Sequence, residues 1–294
     1  MSQKRKRGDR RRSIYIIPNL FTTGSLFFGF YSVMCSVQGR YSLAAALILF
    51  AAVMDALDGT VARMTNTTSR FGVEYDSLCD LLSFGAAPAV LVYLWALTPQ
   101  KLRLPLPSPD DRSLGFGLIV AFIFLACGAL RLARFNVSAG SRDPGFFQGL
   151  PIPGGAGIVA AAVLWHYRFP GPPLLPAGSQ VLIMTIVLAF LMVSNLDFVS
   201  LKNKIFTKNN HPFETLAIIV IFLAFLIIKA KTVLLPLGFV YLASGPVVTV
   251  VRRLRRGGAK PSDAPDAEGD SDGEADSDKA DPDGEDDSDK GDGD

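Results

Sequence analysis

Cysteine and histidine are nearly absent from this chain of 294 residues, which has three of the first and two of the second. Cys35, Cys79 and Cys127 lie in or beside apolar segments and show no CxxC spacing, so neither a thiolate zinc cluster nor a disulfide framework is expected. His166 and His211 have no partner cluster around them in sequence, which leaves imidazole-centred catalysis with little material. Acidic residues are scarce outside the tail. Residues 1–260 hold 11 Asp and Glu against 27 Lys and Arg, while residues 261–294 hold 16 acidic residues against two Lys. The modest net charge of +2 therefore hides a body of +16 and a tail of −14. A tail with no apolar core is expected to be disordered, a solvated extension with no catalytic part.

What the body does contain is long apolar runs. Hydrophobic residues make up 49% of the chain, and eight membrane spans are expected at roughly 20–36, 42–63, 82–98, 114–134, 153–167, 179–197, 213–230 and 232–250. The fold class is thus an all-α, polytopic membrane helix bundle. It divides into a basic amino terminus (1–13), a transmembrane domain (14–252) and a basic, then acidic, carboxyl-terminal tail (253–294). Assigning the connections alternately puts 20 Lys and Arg on the side of the termini and 7 on the other, so both termini are expected to be cytoplasmic, in the cell (inner) membrane. No cleavable signal is evident, and the first span is expected to serve as the targeting signal. Beside a span, the basic amino terminus is expected to attract anionic lipid, with no nucleic acid as partner.

Against that apolar background, four carboxylates stand out: Asp55, Asp58, Asp76 and Asp80. An ionised Asp costs about 2.5–3.5 kcal/mol at the centre of a bilayer-spanning helix, so four within one short stretch call for a function. Asp55, Asp58, Gly59 and Ala62 follow i, i+3, i+4, i+7 spacing, and Gly72, Asp76 and Asp80 follow i, i+4, i+8; each set shares one helix face. Two helices joined by a polar turn over Met64–Phe71 would present both faces to one cleft at the cytoplasmic side. Hard oxygen ligands suit Mg²⁺, Mn²⁺ or Ca²⁺, as one ion or two. Small residues beside a metal leave room for phosphate or pyrophosphate.

The full run, D-x2-D-G-x2-A-R-x8-G-x3-D-x3-D, resembles the signature of the CDP-alcohol phosphatidyltransferases. Further segments are similar to the membrane-bound, serine-using members of that family. These are Pro18-Asn19-Leu20-Phe21-Thr22, Asp76-Ser77-Leu78-Cys79-Asp80, Arg131-Leu132-Ala133-Arg134-Phe135-Asn136 and Phe147-Gln148-Gly149-Leu150-Pro151-Ile152-Pro153. The resemblance covers about residues 14–200. It implies metal-dependent transfer of the phosphatidyl group from CDP-diacylglycerol to L-serine, with release of CMP.

By the same resemblance Asp55, Asp58 and Asp76 ligate the metal, and Asp80 lies close to it and acts as the general base. Gly59, Ala62, Arg63 and Gly72, with Asn19 and Thr22, are the expected CDP contacts; Asn19 and Thr22 serve equally well as caps of the first helix. Arg131, Arg134, Asn136 and Arg142 are the candidates for binding the acceptor, with ordinary cytoplasmic anchoring an equal account of the first two. A homodimer is also implied. Two alternatives stay open: the same chemistry with glycerol 3-phosphate or an inositol derivative, and a cation transporter. A transporter would place its carboxylates near the midplane with repeat symmetry, whereas here they cluster towards helix ends.

Overall fold

In the computed structural model the described residues are 3–65, 69–99, 102, 112–137, 146–169, 177–199 and 230–257. The side chains of residues 3–18, 62–65 and 70 and of a few other segment ends lie outside the description. Helices dominate: α1 (Gln3–Val37), α2 (Tyr41–Thr65), α3 (Arg70–Asp80), α4 (Ala87–Val92), α5 (Arg112–Val137), α6 (Ile152–Arg168), α7 (Ala177–Val193) and α8 (Ala230–Gly257). Five stretches are long and apolar enough to cross a membrane: Asn19–Val37, Tyr41–Val61, Phe71–Leu97, Gly115–Val137 and Thr232–Val251. Helices α6 and α7 are shorter, at 17 residues each. The expected span 213–230 lies outside the described residues.

The chain reverses between α1 and α2 through Gly39, whose φ of +75° suits a residue without Cβ. The Gly39 and Arg40 amides close the end of α1 on the carbonyls of Ser36 and Cys35. The two helices then pack along each other as an antiparallel pair.

The third span differs from its expected start at residue 82. Helix α3 begins at Arg70, with Ser69 as its N-cap accepting from the Gly72 amide at 2.9 Å. It runs on without a break through a π-helical stretch (Leu81–Ala86), α4 and a second π-helical stretch (Tyr93–Leu97). Hydropathy placed the start late because Glu74, Asp76 and Asp80 interrupt the apolar pattern; the backbone has no reason to stop there. At 1.5 Å per residue the whole rod is about 42 Å long, more than the roughly 30 Å of hydrocarbon, so one end can stand clear of it.

The wide π-turn after Asp80 turns Ser83, Phe84 and Gly85 into the core. There α1 comes so close that a Cβ on Gly29 would lie 2.7 Å from Ser83 Cα. The Ser83 hydroxyl donates across this crossing to the Ser25 carbonyl at 3.1 Å. Around it Ile48, Phe84, Leu91, Phe124, Leu188 and Met192 form one continuous buried core contributed by α2, the third span, α5 and α7.

Asn19 lies within α1, with its carbonyl accepting from Thr23 Oγ1, and so does not cap that helix. Pro151 and Pro153 do stand at the start of α6, as expected of residues whose fixed φ suits a first helical turn. One feature departs from pure helix. Phe146–Gln148 (β1) pairs antiparallel with Asp197–Val199 (β2), in the register Phe147 to Phe198. The expected sixth span, 179–197, accordingly ends at Val193, and Asp197 enters this ribbon. Gly149, at φ +76°, turns the chain from β1 into α6 against the Met192 carbonyl.

Candidate active site

The second and third spans bring the acidic faces together. Asp55 of α2 and Asp76 and Asp80 of α3 each offer a carboxylate oxygen, and these oxygens lie within 4.8 Å of one another. Two ligands on opposite sides of Mg²⁺ stand about 4.2 Å apart, and about 4.6–5.2 Å on Ca²⁺, so the group has the size of a divalent-cation site. At an effective dielectric of 20, two unit charges this far apart repel by about 3.5 kcal/mol, an energy a divalent cation would reverse in sign. All three side chains are half-buried, which weakens screening by solvent.

Asp58, the fourth expected ligand, stands outside this group. It is buried at 7% exposure and accepts a hydrogen bond from Thr22 Oγ1 of α1. Helix α1 therefore contributes directly to the site. Asn19 Oδ1 lies 3.6 Å from where a Cβ on Gly72 would be, so these two expected CDP contacts are neighbours. One turn on, Thr23 Oγ1 and Tyr75 Oη are 3.0 Å apart, a second tie between α1 and α3. Gly59 follows Asp58 on α2. Ala62 and Arg63 lie on the same helix with side chains outside the description, and Arg142 lies outside the described residues altogether.

The four expected acceptor residues divide. Arg131 is buried at 8% exposure in α5, its guanidinium carbon 5.4 Å from the centre of the Phe135 ring. Arg134 acts as a clamp. Its Nη1 donates to the Val193 carbonyl and to Asn195 Oδ1, and its Nη2 to the carbonyls of Gln148 and Ser194, at 3.0–3.3 Å. A cation on the last carbonyls of α7 is well placed for the helix dipole. Asn136 Nδ2 donates to Ser77 Oγ of α3 at 2.9 Å, tying the end of α5 to the acidic helix. Neither Ser77 nor Tyr75 was identifiable from sequence as a site residue. Ser77 does sit between Asp76 and Asp80, and that position was the available signal.

A family model described as CDP-alcohol phosphatidyltransferase matches residues 15–193, the stretch that carries the four aspartates and the expected CDP and acceptor residues. The chain belongs to the CDP-alcohol phosphatidyltransferase family. A family member from Helicobacter pylori, named CDP-diacylglycerol–serine O-phosphatidyltransferase, is 33% identical over 234 residues, covering 78% of this chain and 90% of that protein. A protein of the same name from Methanocaldococcus jannaschii is 36% identical over 161 residues, covering 55% of this chain and 66% of that protein. An archaetidylserine synthase from Methanothermobacter thermautotrophicus is 33% identical over 188 residues, covering 63% and 70%. Family membership and the helical, membrane-spanning architecture agree with what the sequence implied.

Proposed function

We propose that this protein transfers the phosphatidyl group of CDP-diacylglycerol to the hydroxyl of L-serine, giving phosphatidylserine and CMP. The observation that carries the proposal is the meeting of Asp55, Asp76 and Asp80 within 4.8 Å, in a chain aligned with 90% of a relative named for this reaction. The relatives' names differ in the lipid, phosphatidyl or archaetidyl, and agree on serine. That agreement favours serine over glycerol 3-phosphate or an inositol derivative.

Asp55, Asp76 and Asp80, with Asp58 beside them, are the residues to hold Mg²⁺ or Mn²⁺. When bound, such an ion neutralises pyrophosphate charge and eases departure of CMP. Asp80 takes the proton of the serine hydroxyl as its oxygen attacks the lipid-side phosphorus and the bond to CMP breaks. A carboxylate is a weak base for an alcohol, so proton transfer accompanies attack. Gly59 and Gly72 present no side chain, and the nucleotide can lie against the helix backbones there. By the family resemblance Asn19, Thr22, Ala62 and Arg63 are the further nucleotide contacts, Thr22 acting through Asp58. Arg131 and Arg142 supply cationic character for the serine carboxylate. Arg134 shapes that region from outside it, through its clamp on α7 and β1. We further propose a homodimer, with both termini and the active site at the cytoplasmic face of the cell membrane.

The test is CMP release by the purified, detergent-solubilised protein given CDP-diacylglycerol and Mn²⁺ or Mg²⁺. Release that requires both metal and L-serine supports the proposal. Release with glycerol 3-phosphate or inositol phosphate in place of serine keeps the chemistry and changes the product.

A further inference from the structure

We propose that Ser77 is a positioning residue for the acceptor: it orients the carboxamide of Asn136 so that the amide oxygen receives the α-ammonium group of serine. This rests on the serine reading above and deepens it. A serine hydroxyl has one proton, and that of Ser77 goes to the Val73 carbonyl, 3.0 Å away on its own helix. Towards its other polar neighbour Ser77 can then offer only lone pairs, and Asn136 Nδ2 donates to them at 2.9 Å. The reverse amide orientation would require the Ser77 hydroxyl to give up its bond to Val73 and donate to the amide oxygen instead. The Ser77–Val73 bond therefore favours the orientation in which the Asn136 amide nitrogen faces α3 and its oxygen points away from Ser77.

The acceptor supplies the complementary need. Zwitterionic serine presents a hydroxyl for the base, a carboxylate for a cation and an ammonium for an oxygen. The end of α5 carries cations at Arg131 and Arg134, and four bonds to other residues occupy the Arg134 fork. Asn136 is the neutral oxygen-bearing side chain there, and its bond to Ser77 places it beside α3. Residues three apart on a helix have Cβ atoms about 5–6 Å apart, so Ser77 and Asp80 are neighbours on α3. That distance suits one serine with its hydroxyl at Asp80 and its ammonium at Asn136. A neutral amide also suits the place better than a carboxylate, which would add a further anion beside Asp76 and Asp80 and compete for the metal.

The experiment is a double-mutant cycle on full-length protein, reading serine KM, kcat and CDP-diacylglycerol KM from CMP release. A second readout is the inhibition constant of 3-hydroxypropionate, which is serine without its amino group. S77A is expected to raise serine KM about tenfold with kcat within about twofold and the lipid KM unchanged. S77T should restore it. N136A should raise serine KM at least as much, and S77A/N136A no further than N136A alone. Binding of 3-hydroxypropionate should be the same in all of them. An unchanged serine KM in S77A, additive losses in the double variant, or equal weakening of 3-hydroxypropionate would each overturn the assignment. Wild-type protein that releases no CMP with serine overturns the proposed function and this assignment together. Wild type active with serine, beside an S77A variant of unchanged KM, overturns this assignment alone.

Discussion

The Thr22 hydroxyl donates to the Asp58 carboxylate across the contact between α1 and α2. The first helix thereby reaches the acidic face of the second, one turn of α2 from Asp55. A partner that orients a site carboxylate from behind tunes metal binding by about 10–100-fold in characterised metal sites. Thr22→Val is therefore expected to raise the Mn²⁺ concentration for half-maximal CMP release about tenfold, while Thr22→Ser keeps the wild-type titration. Identical metal titrations for Val and Thr would reduce this bond to packing.

Asp80→Asn should abolish turnover, with a loss of at least about 100-fold, because the amide cannot take the hydroxyl proton. Affinity for CDP-diacylglycerol, measured by equilibrium binding in micelles, should stay within a few-fold of wild type. Normal turnover in this variant would remove Asp80 as the base.

Asp55→Asn and Asp76→Asn each remove one charged oxygen from the three-carboxylate group. Both should shift the metal dependence of CMP release to concentrations about tenfold higher or more, besides lowering the rate. A metal titration that does not move would contradict the ligand assignment.

Gly29→Ala tests the fold apart from the chemistry. The added methyl would sit 2.7 Å from Ser83 Cα, a backbone atom that cannot swing aside. Overpacking of this kind costs about 1–3 kcal/mol. The expected result is a lower Tm in detergent with an unchanged metal requirement for the activity that remains. A Tm equal to wild type would show that the α1 crossing is looser than described.

Removing residues 261–294 takes away 16 acidic groups and leaves the 1–260 body at +16. CMP release by the truncated protein, measured at matched protein concentration, should be within about twofold of full length, since a solvated acidic extension supplies no group that the proposed chemistry uses. A collapse of activity would assign the tail a catalytic role.

Much of this was legible in the sequence because it is local. Apolar runs and basic clusters record the membrane directly, and the spacing Asp55, Asp58, Gly59, then Gly72, Asp76, Asp80 records helix faces, since a 3.6-residue period needs no knowledge of neighbours. Pro151 and Pro153 stand at the start of α6 for an equally local reason, their fixed φ. Hydropathy misjudged the third span, because a helix continues through charged residues wherever one end can leave the hydrocarbon, and Arg70–Asp80 runs on into Leu81–Ala86 without a break.

The rest was decided in three dimensions. Periodicity assigned Asp55 and Asp58 equally to one face of α2, yet Asp55 meets Asp76 and Asp80 while Asp58 is bonded to Thr22. Arg134 had the sequence context of an acceptor residue, yet its fork closes on Gln148, Val193, Ser194 and Asn195, partners no spacing rule connects to it. The β1–β2 ribbon likewise joins segments about fifty residues apart. A helix fixes the angles between its own side chains and not its rotation against a neighbour. That rotation is set by contacts such as Gly29 on Ser83, where the absence of a side chain lets two backbones touch.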